Sequence, residues 1–324
     1  VSDAPIILSH SQLKSFTMCR RRWWLAWHLG WTLKSEVPTG VVHIGSHIHL
    51  ALEGWYGYGL DPLQVLRWSY ADVIAQQPGH AEQLRKDLDL AEAMVDGFMS
   101  WAAAEGIDQG LEVIATEHEV SHEVNLPGAA GQQVIFRAKL DQLVRRESDH
   151  RLLFRDWKTV GGLEKSAALL LDQQMRFYAL LQGLVHRDPR DRADGALYVM
   201  LRRSKRTARA TGPFYQQLEV TYNRHDLNST YLRAVSVADG IMRTKQLLAG
   251  ADGKFFADHR YACPPNPTDF CTWGCQFFRI CAMFDDGSRV DAALAAEYVQ
   301  ADPYKYYDTS RIQRAVTALS PVQQ

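Results

Sequence analysis

The stretch Leu152-Leu-Phe-Arg-Asp-Trp-Lys-Thr159 decides how the chain is read. It has the pattern of an apolar strand that ends in an acid and a lysine two residues apart. Side chains alternate along a strand, so Asp156 and Lys158 share a face. A carboxylate beside an ammonium at a strand end is a poor piece of core. It suits a divalent metal held next to a phosphate.

The segments before it are also strands. Leu111 to Val124 alternates polar and apolar residues, Gln133 to Arg146 is a second strand, and Arg151 to Trp157 the third. Glu147-Ser-Asp-His150 is the turn between the last two. A hairpin centred between Ser148 and Asp149 sets Asp141 directly opposite Asp156. Cross-strand partners have Cβ atoms only ~5 Å apart, so two like charges there call for something positive between them. This inference depends on the register, which a bulge or a one-residue slip would change.

Helical patterns surround the strands. Ser9 or Ser11 caps a helix running to about Leu29, with Gly30 ending it and Cys19 inside it. Val41 to Tyr56 is a second helix, with Gly45 near its start and His49 and Glu53 on one face. Pro62–Gln77 and Ala81–Glu105 are packing helices. Glu164 to Arg187 is a further helix, on which Gln174 and Tyr178 are neighbours one turn apart. Gly195–Arg202 and Tyr215–Tyr222 are strands. The segment between them is strongly basic and includes Arg202, Arg203, Lys205 and Arg206, a loop suited either to solvent or to phosphate. A long helix covers Leu227–Ala249. A helix near Val290–Gln300 leads into a polar, tyrosine-rich tail.

Composition narrows the class. The chain has 324 residues, 46% hydrophobic and 23% charged, as in a globular protein. No apolar run reaches the ~18 residues of a membrane span, and no signal peptide opens the sequence, so the expectation is a cytoplasmic protein that does not engage membranes. A formal net charge of −1 means that any nucleic-acid surface is local. Three of the five cysteines fall in Cys271-Thr-Trp-Gly-Cys275-Gln-Phe-Phe-Arg-Ile-Cys281, after Cys263-Pro-Pro. In an intracellular chain that density favours a metal over disulfides.

Taken in order, Gly45…His49, Asp141, Asp156-Trp157-Lys158, Gln174…Tyr178 and the late cysteine triplet with one early cysteine resemble the PD-(D/E)XK nuclease superfamily. More closely, they resemble its RecB-type members with an iron–sulfur cluster, found among CRISPR-adaptation, recombination and phage nucleases. The resemblance spans roughly Ser9 to Cys281. Leu140 stands where the family's name places a proline. The resemblance implies an α/β (α+β) fold, with a mixed central sheet flanked by helices. It implies an N-terminal helical region (1–110), a nuclease core (111–250) and a C-terminal clasp and tail (251–324) that act as one integrated unit.

It also implies roles. His49, Asp141, Asp156 and the Trp157 backbone carbonyl would ligate Mg²⁺ or Mn²⁺. Lys158 would act on water and phosphate, Gln174 and Tyr178 would hold the lysine or contact DNA, and Glu117 matches a frequent family acid. Cys19, Cys271, Cys275 and Cys281 would bind a [4Fe–4S] cluster that ties the chain ends together. The first gap of the triplet is one residue longer than the commoner spacing. Cys263 is the alternative fourth ligand, and zinc the alternative metal. Arg20, Arg21 and Arg22 would contact a single strand; Trp23 and Trp24 are candidates to stack on it, but burial in a helix packed on the clasp is the expected fate of the tryptophans. The implied activity is a DNA exonuclease on single-stranded ends, working with a helicase or recombinase in a prokaryotic cell or phage-infected host. An endonuclease of the same fold and a catalytically silent DNA-binding scaffold are the competing readings.

Overall fold

A computed structural model of the chain describes residues 4–34, 39–164, 166–207, 209–250, 258–304 and 309–319. Its strands are β1 (Ile6–Ser9), β2 (Trp31–Leu33), β3 (Leu111–Val124), β4 (Val134–Arg146), β5 (Leu152–Val160), β6 (Ala193–Arg202), β7 (Tyr215–Thr221) and β8 (Tyr298–Gln300). Its helices are α1 (His10–Met18), α2 (Arg20–Trp23), α3 (Val41–Tyr58), α4 (Pro62–Gln76), α5 (Ala81–Glu105), α6 (Gln173–Val185), α7 (Arg224–Leu248), α8 (His259–Ala262), α9 (Phe270–Gly274), α10 (Phe278–Cys281), α11 (Val290–Glu297) and α12 (Ser310–Leu319). The architecture is mixed α/β. The central sheet has the order β1-β4-β5-β6-β7, with β3 also paired to β4, and is flanked by helices. The chain falls into two compact units, each assembled from separated stretches: 1–36, 121–138 and 227–307 in one, 37–120, 139–226 and 308–324 in the other.

The second unit carries most of the sheet. β4 and β5 are antiparallel, with Gln142 opposite Arg155 and Arg145 opposite Leu152, the register that the hairpin arithmetic required. β5 and β6 are parallel and β6 and β7 antiparallel. Alternation sends Trp157 from β5 into an apolar core with Val199 and Leu201 of β6, Ile48 and Leu52 of α3, Val65 and Tyr70 of α4, and Met94 and Phe98 of α5. Trp157 stacks on Tyr56 at 5.3 Å between ring centroids. The helices begin where the chemistry predicts. Asp61 caps α4 with Pro62 at its first position, and Asp172 caps α6 through Gln174 N. α3 lies close to β5, since a Cβ on Gly45 would meet Thr159 Oγ1 at 3.2 Å.

The first unit is built around Leu25, Phe277, Ile280, Leu294 and Tyr298. β1 runs parallel to the first residues of β4, and β2 pairs antiparallel with β8. Four expectations are corrected. The first helix is broken at Cys19, whose extended backbone (φ −162, ψ 115) separates α1 from α2. The Glu164–Arg187 helix shortens to α6, because Asp172 stops the chain to cap it. Residues 298–300 leave the predicted helix to pair with β2. The tail contains α12, which seats Ile312 and Ala315 in the second unit's core. The tyrosine-rich residues 305–308 lie outside the described residues.

Gly97 gives a direct test of this packing. Glycine inside a helix ordinarily costs ~1 kcal/mol relative to alanine. Here an added Cβ would fall 2.1 Å from Tyr215 Oη, which donates to Met94 O at 3.0 Å. Gly97→Ala should therefore destabilise the protein by about 1–3 kcal/mol in urea unfolding. Adding Tyr215→Phe should recover part of that loss. A Gly97→Ala protein more stable than the parent would refute the packing.

Candidate metal-dependent nuclease site

The β4–β5 ladder ends at Gln142–Arg155, one step before the two acids. Beyond that point Asp141 turns its carboxylate to the β5 backbone, and Oδ2 accepts from Trp157 N at 3.1 Å. The same oxygen lies 3.3 Å from His49 Nδ1, presented by α3. Gly45 lies one turn before His49 on the side of α3 facing Thr159, so the glycine lets the helix bring its histidine to the strand ends.

Asp156 is 3% exposed. Its Oδ1 accepts from Lys158 Nζ at 3.0 Å. Its Oδ2 lies 2.8 Å from the same Nζ but accepts no hydrogen bond among the described residues. Lys158 is also 3.5 Å from Gln174 Oε1, and Gln174 Nε2 donates to Tyr178 Oη at 2.9 Å. Asp172, which caps α6, accepts from Tyr198 Oη at 3.0 Å and fixes the start of the Gln–Tyr helix. The second unit thus brings together His49, Asp141, Asp156, Lys158, Gln174 and Tyr178.

Glu117 stands in β3 with φ +47, a left-handed conformation uncommon for a side chain of this size. Its Oε2 pairs with Lys139 Nζ at 2.6 Å. Glu53, one turn after His49, is 8% exposed. Lys139 escaped the sequence reading, which places Glu53 on the face of His49 without a role. The two-residue offset from Lys139 to Asp141, which puts both on one strand face, was the available signal.

The charges interact strongly. Burial alone would depress the His49 pKa, but the Asp141 charge and hydrogen bond, helped by Asp156, raise it to about 9. Burial pushes Asp156 up to about 6, aided by Asp141 and opposed by Lys158. Asp141 is desolvated too, yet His49 and Lys158 hold it below the usual carboxylate range. Burial, then the charges of Glu117 and Asp141, push Glu53 up to about 8. His49–Asp141 and Asp156–Lys158 form two ion pairs. Among the described residues no three His, Cys, Asp or Glu side chains already converge as a ligand group. The donor set nevertheless fits a hard divalent cation. A buried carboxylate on Asp156 and a half-buried one on Asp141, which the His49 imidazole reaches, are donors of the kind such an ion takes.

The cysteines belong to the first unit. Cys19, Cys271, Cys275 and Cys281 line one cavity of about 310 Å³. Backbone N–H groups of Asn266 and Thr268 point at the sulfurs of Cys19 and Cys271, each at 3.4 Å. The break between α1 and α2 gives Cys19 its place on that cavity. Burial pushes the Cys275 and Cys281 thiols up, and neighbouring thiols add to the effect. Cys263 is fully buried, does not line the cavity, and has its thiol pushed up to about 12 by burial. Thiolates are donors of the kind an iron–sulfur cluster or zinc takes, but among the described residues no three of these thiols converge as a ligand group.

The basic residues divide. Arg21 is corrected as a DNA contact: it is 1% exposed, donates to the carbonyls of Cys263 (3.0 Å) and Cys281 (3.2 Å), and pairs with Asp285. Trp23 is fully buried, the fate expected of it over stacking on a strand. Arg20 lies over Phe16 and Arg22 over Phe270. Arg202 lies over Phe214, and Arg203 donates to Thr159 O at 2.9 Å. Lys205 pairs with Asp89, and Arg206 lies 3.7 Å from Asp96. Much of the loop's charge is met within the chain.

The buried acid Glu53 makes stability pH-dependent. Its folded pKa stands above the ordinary value of 4.5, so its protonated form contributes stability below pH 4.5, and that contribution is lost as pH rises to about 8. Glu53→Gln should therefore be more stable than the parent above pH 8, on the order of a few kcal/mol. The gap should close near pH 5. Chelator-treated protein in urea at both pH values reads this directly, and a gap independent of pH would disprove it.

Comparison with known proteins agrees with the geometry. No curated protein matches the chain. The solved crystal structure of SSO0001 is similar at 12% identity and a TM-score of 0.33, covering 74% of this chain and 83% of that one, a likeness too slight to carry an argument. The profile of the PD-(D/E)XK nuclease superfamily matches residues 7–282, which contain every strand-end acid, the lysine and all five cysteines. With most of its length matched, and with an acid pair and a lysine at the end of a mixed sheet, the chain belongs to the PD-(D/E)XK nuclease superfamily.

Proposed function

We propose that the protein is a Mg²⁺- or Mn²⁺-dependent DNA exonuclease that hydrolyses phosphodiesters at single-stranded ends. The observation that carries the reading is Asp156: a buried carboxylate held against the Lys158 ammonium, beside the Asp141–His49 pair. His49, Asp141, Asp156 and the Trp157 carbonyl would hold the ion. When bound, it supplies a water of lowered pKa and neutralises charge building on the phosphate.

The chain's own residues do the rest. Lys158 reaches the site from a helix-backed position, with Gln174 Oε1 and the Gln174–Tyr178 bond limiting where its ammonium points. It orients the attacking water and donates to the phosphoryl oxygens as negative charge grows. Asp141 ties the Trp157 backbone to His49 and so keeps the strand end in register with the helix. Glu117 keeps its place as the family's further acid. Single-stranded DNA is supported by resemblance and by Trp273, which is 76% exposed between Cys271 and Cys275 and offers a stacking face. Arg20, Arg22, Arg202, Arg203, Lys205 and Arg206 remain candidate phosphate contacts, and a helicase or recombinase is the partner such an enzyme would serve. Cys19, Cys271, Cys275 and Cys281 would hold a [4Fe–4S] cluster, with zinc as the competing metal.

End-labelled linear and circular single-stranded DNA with Mg²⁺ or Mn²⁺ tests the activity. Linear DNA should be degraded and circles spared. Lys158→Ala should lower kcat by about 10²–10³-fold. Cut circles would favour the endonuclease reading, and no cleavage with either ion would refute the proposal.

Iron and sulfide analysis of anaerobically purified protein tests the thiol site. Iron should be lost in Cys19→Ala and retained in Cys263→Ala. A colourless protein carrying zinc would replace the cluster with zinc.

A further inference from the structure

The first unit holds a second cavity, of about 300 Å³, whose lining includes Arg22, Trp27, Trp31, Gln276 and Asp302. Arg22 also lines the thiol cavity, and Gln276 follows Cys275, so the cysteine loop supplies part of one wall.

The walls are set by the chain's own bonds. Gly30, at φ +70, turns the chain at once into β2 and its Trp31. A Cβ on Gly30 would meet Ala301 O at 2.8 Å, so glycine is what lets the two backbones close here. Ala301 N donates to Gly30 O at 2.8 Å, and Gln300 Nε2 donates to Leu29 O at 3.1 Å. Gln276 Nε2 donates to Trp31 O at 3.4 Å, while Tyr298 Oη donates to Gln276 O at 2.7 Å. Trp27 meets Tyr304 edge-on, with ring centroids 5.5 Å apart. A cavity held in this way is formed before a ligand arrives and costs little ordering to fill.

The lining selects a class of ligand. Trp27 and Trp31 are half-buried beside open volume that ordinary packing would have closed. They offer flat aromatic surface. Arg22, which lies over Phe270 at 5.0 Å, brings a cation. Asp302 brings a carboxylate, whose Oδ1 accepts from Tyr304 N at 2.9 Å. A bare anion would be repelled by Asp302, and a purely apolar ligand would desolvate both charges without pairing them. A nucleotide satisfies all three features. Its base stacks on indole, its phosphate meets the guanidinium, and an exocyclic amino group on the base donates to the carboxylate.

We infer that this cavity is a nucleotide subsite that takes one base of a single-stranded DNA, stacked on Trp27 and Trp31, with Arg22 on its phosphate and Asp302 accepting from its exocyclic amino group. The inference rests on the reading of the protein as a nuclease of single-stranded DNA, and it adds a base preference to that reading. Adenine, cytosine and guanine carry the amino group and thymine does not. A free nucleotide presents the same groups, and the experiment separates the two sources.

Fluorescence anisotropy of labelled oligo-dC and oligo-dT with the full chain, without added divalent ion, tests this. The parent should bind oligo-dC about fivefold more tightly than oligo-dT, the worth of one such hydrogen bond. Asp302→Ala should erase that preference and leave oligo-dT binding unchanged. Arg22→Ala should lower the slope of log affinity against log salt by about 0.7, the loss of one phosphate contact on a single strand, and Arg22→Lys should restore it. Trp27→Ala should weaken both oligonucleotides about tenfold, and Trp27→Phe should recover most of that. If Trp27→Ala unfolds, Asp302→Ala and the salt slope still decide the matter. Equal affinity of the parent for the two strands, a preference that survives Asp302→Ala, or an unchanged slope in Arg22→Ala overturns the subsite. Displacement of oligo-dC by dCMP as readily as by unlabelled oligo-dC overturns the strand in favour of a free nucleotide. A parent that shows the preference yet cuts no DNA with Mg²⁺ or Mn²⁺ refutes the nuclease reading and leaves the subsite standing.

Discussion

The molecule's chemistry depends on two carboxylates placed where a β-ladder stops. Asp141 and Asp156 lie one step past the last paired residues of β4 and β5. Inside the ladder, two like charges at that spacing would repel with nothing to separate them. At its end β4 and β5 part from each other while β5 stays paired with β6, and each acid takes a different cation: Asp141 the His49 imidazole, Asp156 the Lys158 ammonium. Everything near them answers this constraint. Gly45 lets α3 come close enough to deliver His49, Asp172 starts α6 so that Gln174 meets Lys158, and Trp157 anchors the strand in the core between the two functional side chains.

Much of this was legible in the sequence, because the deciding signals are local. A two-residue alternation and a short turn fix the β4–β5 register, and that alone puts Asp141 beside Asp156. Helical spacing puts Gln174 beside Tyr178 in the same way. The misses share a physical cause. Helix propensity across residues 10–29 gives no sign that Cys19 leaves the helix, because the reason lies in residues some 250 positions away in the chain. β1, β2 and β8 are three or four residues long, too short for periodicity, and exist only through their partners. The arginine run at 20–22 looked uniform, yet helical rotation sends Arg21 inward and leaves Arg20 at the surface.

The two sites obey opposite rules. The acid site concentrates charge of both signs in a buried place, and its pKa values are pulled apart by neighbours rather than by burial alone. The thiol site is made of soft donors whose ordinary state when buried is neutral, and burial pushes them further that way.

Arg21 has a consequence for how the thiol site is made. Its guanidinium grips the carbonyls of Cys263 and Cys281 and the carboxylate of Asp285, joining the start of the chain to both ends of the cysteine loop with ordinary protein bonds. A small zinc domain is disordered until its metal arrives, and its ligands gather around the ion. Here Arg21 fixes the backbone beside the cysteines with bonds of the chain's own, although among the described residues no three thiols converge as a ligand group. The cavity that the four thiols line is thus shaped by the folding of the chain itself.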